Sequence, residues 1–376
     1  MSRALRPVVL SGNSSWNIVN FRVGLVAALR GAGFEPVVIA PIDPAGEARM
    51  ATLDVRRFTV GMDRSGLNPF KDLKLFLQYR RLIREIGPAA YLGYTIKPNI
   101  YGSLAARLCG VPALPNISGL GTVFLRGGLL GWFASVLYRV GLSGAPIVFF
   151  QNHEDLSEFV ERKLVRRDQA RLLPGSGVDL GRFAPTPLPP GPITFLLIGR
   201  LLGDKGVREF VEAARALRGE GSEARFQLLG PVDAGNRTAI TRAELDAWVA
   251  DGTIDNLGET DDVRPFIARC HAIVLPSYRE GLPRSLLEGA AMGRPLIATD
   301  VPGCRDVVDD GVNGILCAPH DAGSLAGAMR KLLTMSDEER SAMGAAGRAK
   351  VQAQFSEERV IEAYLQALDD VSAPQV

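Results

Sequence analysis

The tract Pro185-Thr186-Pro187-Leu188-Pro189-Pro190-Gly191-Pro192 constrains this chain more than any other stretch. Five prolines in eight residues fix φ and remove backbone donors, so neither a helix interior nor a central strand can pass through. The tract reads as an interdomain linker, and 376 residues suit two domains. Residues 1–184 form the first, 185–192 the linker and 193–355 the second, with a C-terminal helix at about 356–376 expected to pack back on the first.

Each side of the tract repeats one pattern. After it, Ile193–Ile198 is an apolar run of the kind buried on both faces in a parallel sheet. Further strands near 225–229, 254–257, 272–275, 295–298 and 314–316 alternate with helices, and three helices close the chain. Before it, residues 6–10 read as a strand, Ser11–Ser15 as a loop, 16–32 as a helix and Val37–Ile39 as the next strand. Residues 69–86 form a basic amphipathic helix whose Leu73, Phe76, Leu77 and Leu82 read as a packing face. A strand at Ala89–Tyr94 and a loop at Thr95–Asn99 follow, then a Gly-rich loop at Asn116–Gly121 and a strand at Pro146–Phe150. The expectation is α/β: two Rossmann-like, doubly wound parallel-sheet domains facing across a cleft.

The residue inventory excludes several classes. Cys109, Cys270, Cys304 and Cys317 show no pairing or metal-ligand spacing with the three histidines, which suits a reducing cytoplasm. The first loop lacks G-x-G-x-x-G, so a dinucleotide cofactor has no support. No D-x-D stands out as a metal signature. Net charge is +10 over residues 1–184 (23 Lys and Arg, 13 Asp and Glu) and −8 over the rest (20 and 28). The basic half suggests an anionic partner, and no basic–aromatic motif points to nucleic acid.

The chemistry concentrates in two loops of the second half. Gly199-Arg200-Leu201-Leu202-Gly203-Asp204-Lys205-Gly206 follows the first strand and supplies a planar donor fork and a point charge, a pairing that suits a diphosphate. Residues 275–289 carry Glu280 on a Pro- and Gly-marked loop and Glu288 one turn inside the following helix, with Pro283 as its first residue. The stretch Gly281-Leu282-Pro283-Arg284 brings free backbone N–H groups beside Glu280, Pro283 contributing none, and an anion or a diol could be held there. In the first half, the loop with Gly12, Asn13 and Ser14 and the strand-end residues Thr95 and Lys97 sit where such folds bind ligands. Asn116 and Gly119 lie on the next polar loop.

Residues 124–142 hold Arg126, Trp132, Phe133, Tyr138 and Arg139 in an apolar run broken by Gly and Arg. The run is shorter than the roughly 20 apolar residues a membrane span needs. It suits a helix lying at a membrane interface, Trp132 and Phe133 at headgroup depth and Arg126 and Arg139 on anionic lipid; a buried interdomain helix is the alternative.

Together, Gly199–Gly206, Glu280-x7-Glu288 and Gly303-Cys304-Arg305-Asp306-Val307-Val308 resemble family 4 glycosyltransferases of the GT-B fold. Tyr94–Asn99 and Asn116–Gly121 are similar to the branch that builds bacterial surface polysaccharides and glycan precursors on polyprenyl diphosphate. The resemblance implies retaining transfer of a sugar, an N-acetylhexosamine (HexNAc), from a UDP-sugar to a polyprenyl-diphosphate-linked saccharide at the cytoplasmic face of the inner membrane, with no metal or other cofactor. It implies that Arg200 and Lys205 hold the diphosphate, Glu288 the ribose hydroxyls, and that Glu280 lies near the donor sugar. The chain departs from many relatives in having Tyr94-Thr95 where they place a His, and Cys304 where they have a second Gly. Rival readings are a UDP-sugar 2-epimerase of the same fold, which would need further acid and base groups, and a non-catalytic scaffold, which would not need Arg200, Lys205 and Glu288.

Overall fold

Parallel strands make up every sheet among the described residues, which are 5–63, 68–119 and 128–372 of the computed structural model. The chain divides into two units, Met1–Ser176 with Glu358–Val376, and Gly177–Glu357. In the first, β1 (Arg6–Ser11), β2 (Phe34–Ala40), β3 (Arg56–Thr59) and β4 (Ala90–Gly93) lie in the order β3-β2-β1-β4. A second sheet orders β5 (Asn116–Ile117), β6 (Val148–Phe150) and β7 (Ala170–Leu172), and parallel bridges Tyr91↔Ala113 and Tyr94↔Asn116 join the two. The second unit orders its strands β10-β9-β8-β11-β12-β13: β8 (Thr194–Ile198), β9 (Arg225–Leu229), β10 (Asp255–Asn256), β11 (Ala272–Leu275), β12 (Leu296–Thr299) and β13 (Gly314–Cys317).

The period-two alternation of strands explains the layering. Phe195 and Leu197 of β8 join one core with Phe210 and Val211 of the Val207–Gly219 helix, while Leu196 between them joins another with Leu286 and Ala290 of the Arg284–Ala291 helix. In β1, Val8 and Leu10 face Ile18 and Leu25, and Val9 faces Tyr79 and Ile83. The Glu357–Ser372 helix adds Val360, Tyr364, Ala367 and Leu368 to the core beneath Val8 and Leu10. All four cysteines are free thiols.

Several expectations change in detail. The proline tract lies inside the second unit and does not link the two, since the chain passes between units at Ser176–Gly177 and Glu357–Glu358. The cause is Arg294, fully buried in the second unit, whose guanidinium donates to the carbonyls of Thr186 (2.7 Å) and Pro187 (3.0 Å). Val178 and Phe183, ahead of the tract, sit in that unit's core. The helix at 16–32 is two, Ser15–Phe21 and Val23–Gly31, broken at Arg22. In the Pro69–Ile86 helix Asp72, Leu75, Tyr79, Ile83 and Ile86 are buried, and the expected Phe76 and Leu82 pack partly buried on the same core, whereas Leu73 and Leu77 face outward. That helix is apolar on more than one side, so periodicity alone does not choose its inner face; Tyr79, whose hydroxyl meets Ser11 Oγ at 2.8 Å, does.

Candidate active site

In the second unit the chain leaves β8 toward β9 on one side and later adds β11 on the other. The loops that follow β8 and β11 therefore flank the point where strand order reverses, at the carboxyl ends of the strands. The first loop ends in a tight turn, Gly203–Lys205, and Gly206 at φ +70° opens the Val207–Gly219 helix. A Cβ on Gly206 would lie 2.0 Å from the carbonyl oxygen of Pro276, so only glycine permits this approach.

Hydrogen bonds then stitch the loops together. Tyr278 N donates to the Asp204 carbonyl at 3.0 Å and Ser277 Oγ to the same oxygen at 3.1 Å. Thr299 Oγ1, at the end of β12, donates to the Ser277 carbonyl. Gly303, at φ +80°, closes against the far side: its Cβ would fall 2.6 Å from the Gly281 oxygen and 2.7 Å from that of Glu280. Its N–H donates to Asp306 at 3.0 Å, which gives the 303–308 motif a local purpose.

This scaffold brings together four of the expected side chains as two ion pairs. Lys205 Nζ donates to Glu280 Oε1, and both side chains are mostly buried. Arg284 Nε donates to Glu288 Oε1 at 2.6 Å, one helical turn on. Burial pushes the Glu288 carboxyl above the usual carboxylate range, and the Arg284 guanidinium opposes that without cancelling it. Pro283, with ψ at 110°, caps the helix from outside, so Arg284 is the first helical residue; Leu282 packs on the core behind the loop. Arg200 lies on the same loop as Lys205 but reaches Asp233 at 2.9 Å with its side chain 55% exposed.

The first unit disposes its expected residues differently. Gly12, Asn13 and Ser14 follow β1 and Thr95 follows β4, again at a reversal of strand order. Ser14 Oγ accepts from Asn17 N at 3.1 Å as a helix cap. Thr95 holds φ +69°, and its buried hydroxyl has no protein partner. A β-branched residue in that region is a true outlier. Lys97 is held in an ion pair: its Nζ is 2.6 Å from Asp72 Oδ1, both side chains are 11% exposed, and Tyr101 OH donates to the other Asp72 oxygen at 3.0 Å. Asn116 is fully buried in β5; its carbonyl accepts from Asn99 at 2.7 Å and its amide donates to Tyr364 OH at 2.8 Å. Gly119 stands two residues beyond β5 at φ +134°.

Arg126 falls outside the described residues. Trp132 and Phe133 of the Gly128–Leu142 helix are exposed, whereas Tyr138 is buried against Phe159. Arg139 donates to the carbonyls of Lys163 (3.1 Å) and Arg162 (3.0 Å). Among the described residues no helix is long and apolar enough to cross a membrane, and no cluster of His, Cys, Asp and Glu has the makings of a metal site.

Sequence reasoning missed two side chains that hold these loops. His320, at φ +59°, lies against the Tyr278 ring with centroids 3.6 Å apart, and Tyr278 OH donates to Glu209 at 2.5 Å. Arg22, 4% exposed, lies over the Tyr94 ring at 4.0 Å. Neither carries a spacing signal, because each partner comes from a distant part of the chain.

The family model described as "Glycosyl transferases group 1" matches residues 192–335, and that described as "Glycosyl transferase 4-like domain" matches residues 19–175. The chain belongs to the glycosyltransferases, and its residues 192–335 to group 1. Its two α/β units are the GT-B architecture, and solved structures of similar fold cover nearly all of this glycosyltransferase. The sucrose-phosphate synthase of Thermosynechococcus elongatus aligns with a TM-score of 0.80 at 19% identity, over 97% of this chain and 99% of that one. The Anabaena protein Alr3699/HepE, in complex with UDP and glucose, aligns at 0.79 and 15% identity, over 96% and 99%. Among curated relatives, the N,N'-diacetylbacillosaminyl-diphospho-undecaprenol alpha-1,3-N-acetylgalactosaminyltransferase of Campylobacter jejuni is 26% identical, over 94% of this glycosyltransferase and 96% of the relative. The Gly199–Gly206 and Glu280–Glu288 loops both fall within the group 1 match.

Proposed function

We propose that this glycosyltransferase moves a HexNAc residue from a UDP-sugar to a saccharide on polyprenyl diphosphate, with retention at the anomeric carbon, as a peripheral protein of the cytoplasmic membrane face. The observation that carries the reading is the Lys205–Glu280 pair at the strand-order reversal, beside the Arg284–Glu288 pair. The Campylobacter relative, whose printed name gives a diphospho-undecaprenol acceptor and an N-acetylgalactosaminyl group, supports the acceptor and donor classes. The Anabaena structure, which contains UDP and glucose, supports a UDP-sugar donor.

Lys205 has three ammonium donors, so it can keep Glu280 and bind a diphosphate oxygen at once. Arg200, half-exposed on Asp233, turns to the same diphosphate. These fixed cations stabilise the charge that develops on UDP as the bond from the anomeric carbon to the phosphate oxygen breaks. The acceptor hydroxyl attacks from the same face and its proton passes to the departing phosphate oxygen, leaving UDP and the extended saccharide. Glu280 lies beside the positive charge that builds at the anomeric carbon, and Glu288 accepts from the ribose diol. Cationic side chains do the work of a metal in this scheme.

The test is mass spectrometry of short-chain polyprenyl-diphosphate saccharides incubated with the protein, a panel of UDP-sugars and a chelator. A gain of one HexNAc that the chelator leaves intact, with the donor's anomeric configuration in the product, is expected. Transfer of unsubstituted hexose alone, an inverted product, or loss of transfer on chelation would each overturn the corresponding part of the proposal.

A further inference from the structure

The Pro69–Ile86 helix has two apolar faces. Its inner face buries Leu75, Tyr79, Ile83 and Ile86 against the first sheet. At 3.6 residues per turn the opposite face carries Phe70, Leu73 and Leu77, followed by Arg81 and Arg84. Phe70 is 85% exposed, Leu73 56% and Leu77 50%. A face this exposed adds nothing to folding, and a soluble helix ordinarily carries polar residues there.

Charge says what covers it. Lys71 and Lys74 flank the apolar half, and Arg81 and Arg84 extend it, all of them exposed. Among the described residues only Lys71 of these has an ion-pair partner, Asp63 at 3.5 Å. Of the helix's two acidic residues Asp72 is buried on Lys97, so Glu85 is the single exposed one. The Gly128–Leu142 helix, which exposes Trp132 and Phe133, packs against the same Pro98–Leu108 segment as the Pro69–Ile86 helix. Large apolar side chains rimmed by cations, most of them outside any ion pair among the described residues, complement the surface of an anionic bilayer, where rings and leucines enter the headgroup layer and each Lys or Arg gains from lipid phosphate.

We infer that the Pro69–Ile86 helix docks the first unit on anionic lipid, with Phe70, Leu73 and Leu77 inserted and Lys71, Lys74, Arg81 and Arg84 over the phosphates. The inference deepens the reading of a lipid-borne acceptor and adds a docking element distinct from Trp132 and Phe133. It does not require that transfer occur.

The experiment is flotation of the full-length protein, without donor or acceptor, on vesicles of phosphatidylcholine alone or mixed with phosphatidylglycerol. Wild type should float with the mixed vesicles and stay behind with phosphatidylcholine. The triple variant Phe70→Ser/Leu73→Ser/Leu77→Ser and the double variant Lys71→Glu/Lys74→Glu should each lower vesicle partitioning at least about tenfold. Because these side chains are exposed, unfolding temperatures should not fall, and transfer to a water-soluble acceptor should be unchanged. Flotation of the triple variant at the wild-type level would overturn the inference. So would equal wild-type binding to both vesicle types, or a triple variant that loses only self-association, which would make the stripe a contact between copies. Failure of the proposed transfer would leave the flotation result standing.

Discussion

Glu288, proposed to accept from the ribose diol, is held buried at a cost in stability. Burial holds its pKa above the usual range despite Arg284, so the folded protein takes up its proton more readily than the unfolded chain does. Stability from this group is therefore fullest below the ordinary carboxylate pKa and falls as pH rises from there through the raised value. Glu288→Gln should raise the melting temperature near neutral pH, and the gain should vanish in acid; a loss at neutral pH would mean that the pair with Arg284 outweighs desolvation. The same variant should raise the KM for the sugar nucleotide by about tenfold, since a neutral amide accepts more weakly than a carboxylate. Lys205→Ala should lower kcat/KM for transfer by roughly ten- to a thousand-fold, the range for losing one fixed cation from a developing charge; undiminished transfer would remove Lys205 from the site. The places of Lys205, Glu280 and Glu288 in the fold were legible in the sequence, because each lies on a loop directly after a strand or just inside the next helix. The pairing of Lys97 was not, because Asp72, which lies 2.6 Å from it, comes from a helix 25 residues earlier.

Between elements, the decisive contact is the approach of the Gly203–Lys205 turn to the loop after β11. Gly206 sits at φ +70° with no room for a Cβ beneath Pro276. Gly206→Ala should cost about 1–3 kcal/mol in backbone strain and push the Pro276–Glu280 loop off Asp204. Transfer should then fall by about tenfold or more while the unit stays folded, because the Lys205–Glu280 spacing is lost. Full activity, measured beside circular dichroism, would show that the loops need not touch. Strands covered on both faces, such as β8 and β11, announce themselves as apolar runs. By contrast β3, which reads Arg-Arg-Phe-Thr at a sheet edge, and the two-residue β5 bury too little to leave such a mark. The inner face of the Pro69–Ile86 helix was read half correctly, Phe76 and Leu82 packing inward but Leu73 and Leu77 outward, because apolar residues lie on both its faces and the contact of Tyr79 with Ser11 decides.

At the scale of the whole molecule, the chain builds one unit from two separated segments. Val360, Tyr364, Ala367 and Leu368 are nearly or fully buried in the first unit's core. At about 1.5–3 kcal/mol for each large side chain, they amount to a large share of the roughly 5–15 kcal/mol that holds a domain folded. Removing residues 357–372 should abolish hydrogen-exchange protection in β1 and β2 while leaving β8 and β11 protected. Equal protection in both units would mean that the helix is dispensable. The proline tract was the clearest mark of division in the sequence, yet Arg294 fastens it to the second unit, a contact that depends on a residue more than a hundred positions away.

The shared core also sets a timetable during synthesis. As the ribosome proceeds, residues 1–176 emerge first but lack the Glu357–Ser372 helix that covers Val8 and Leu10. The segment 177–357 is complete as soon as it clears the exit tunnel. The half translated later is thus the one that can finish folding earlier, while the half translated earlier waits, with apolar surface for chaperones to cover, until residues 357–372 have been made.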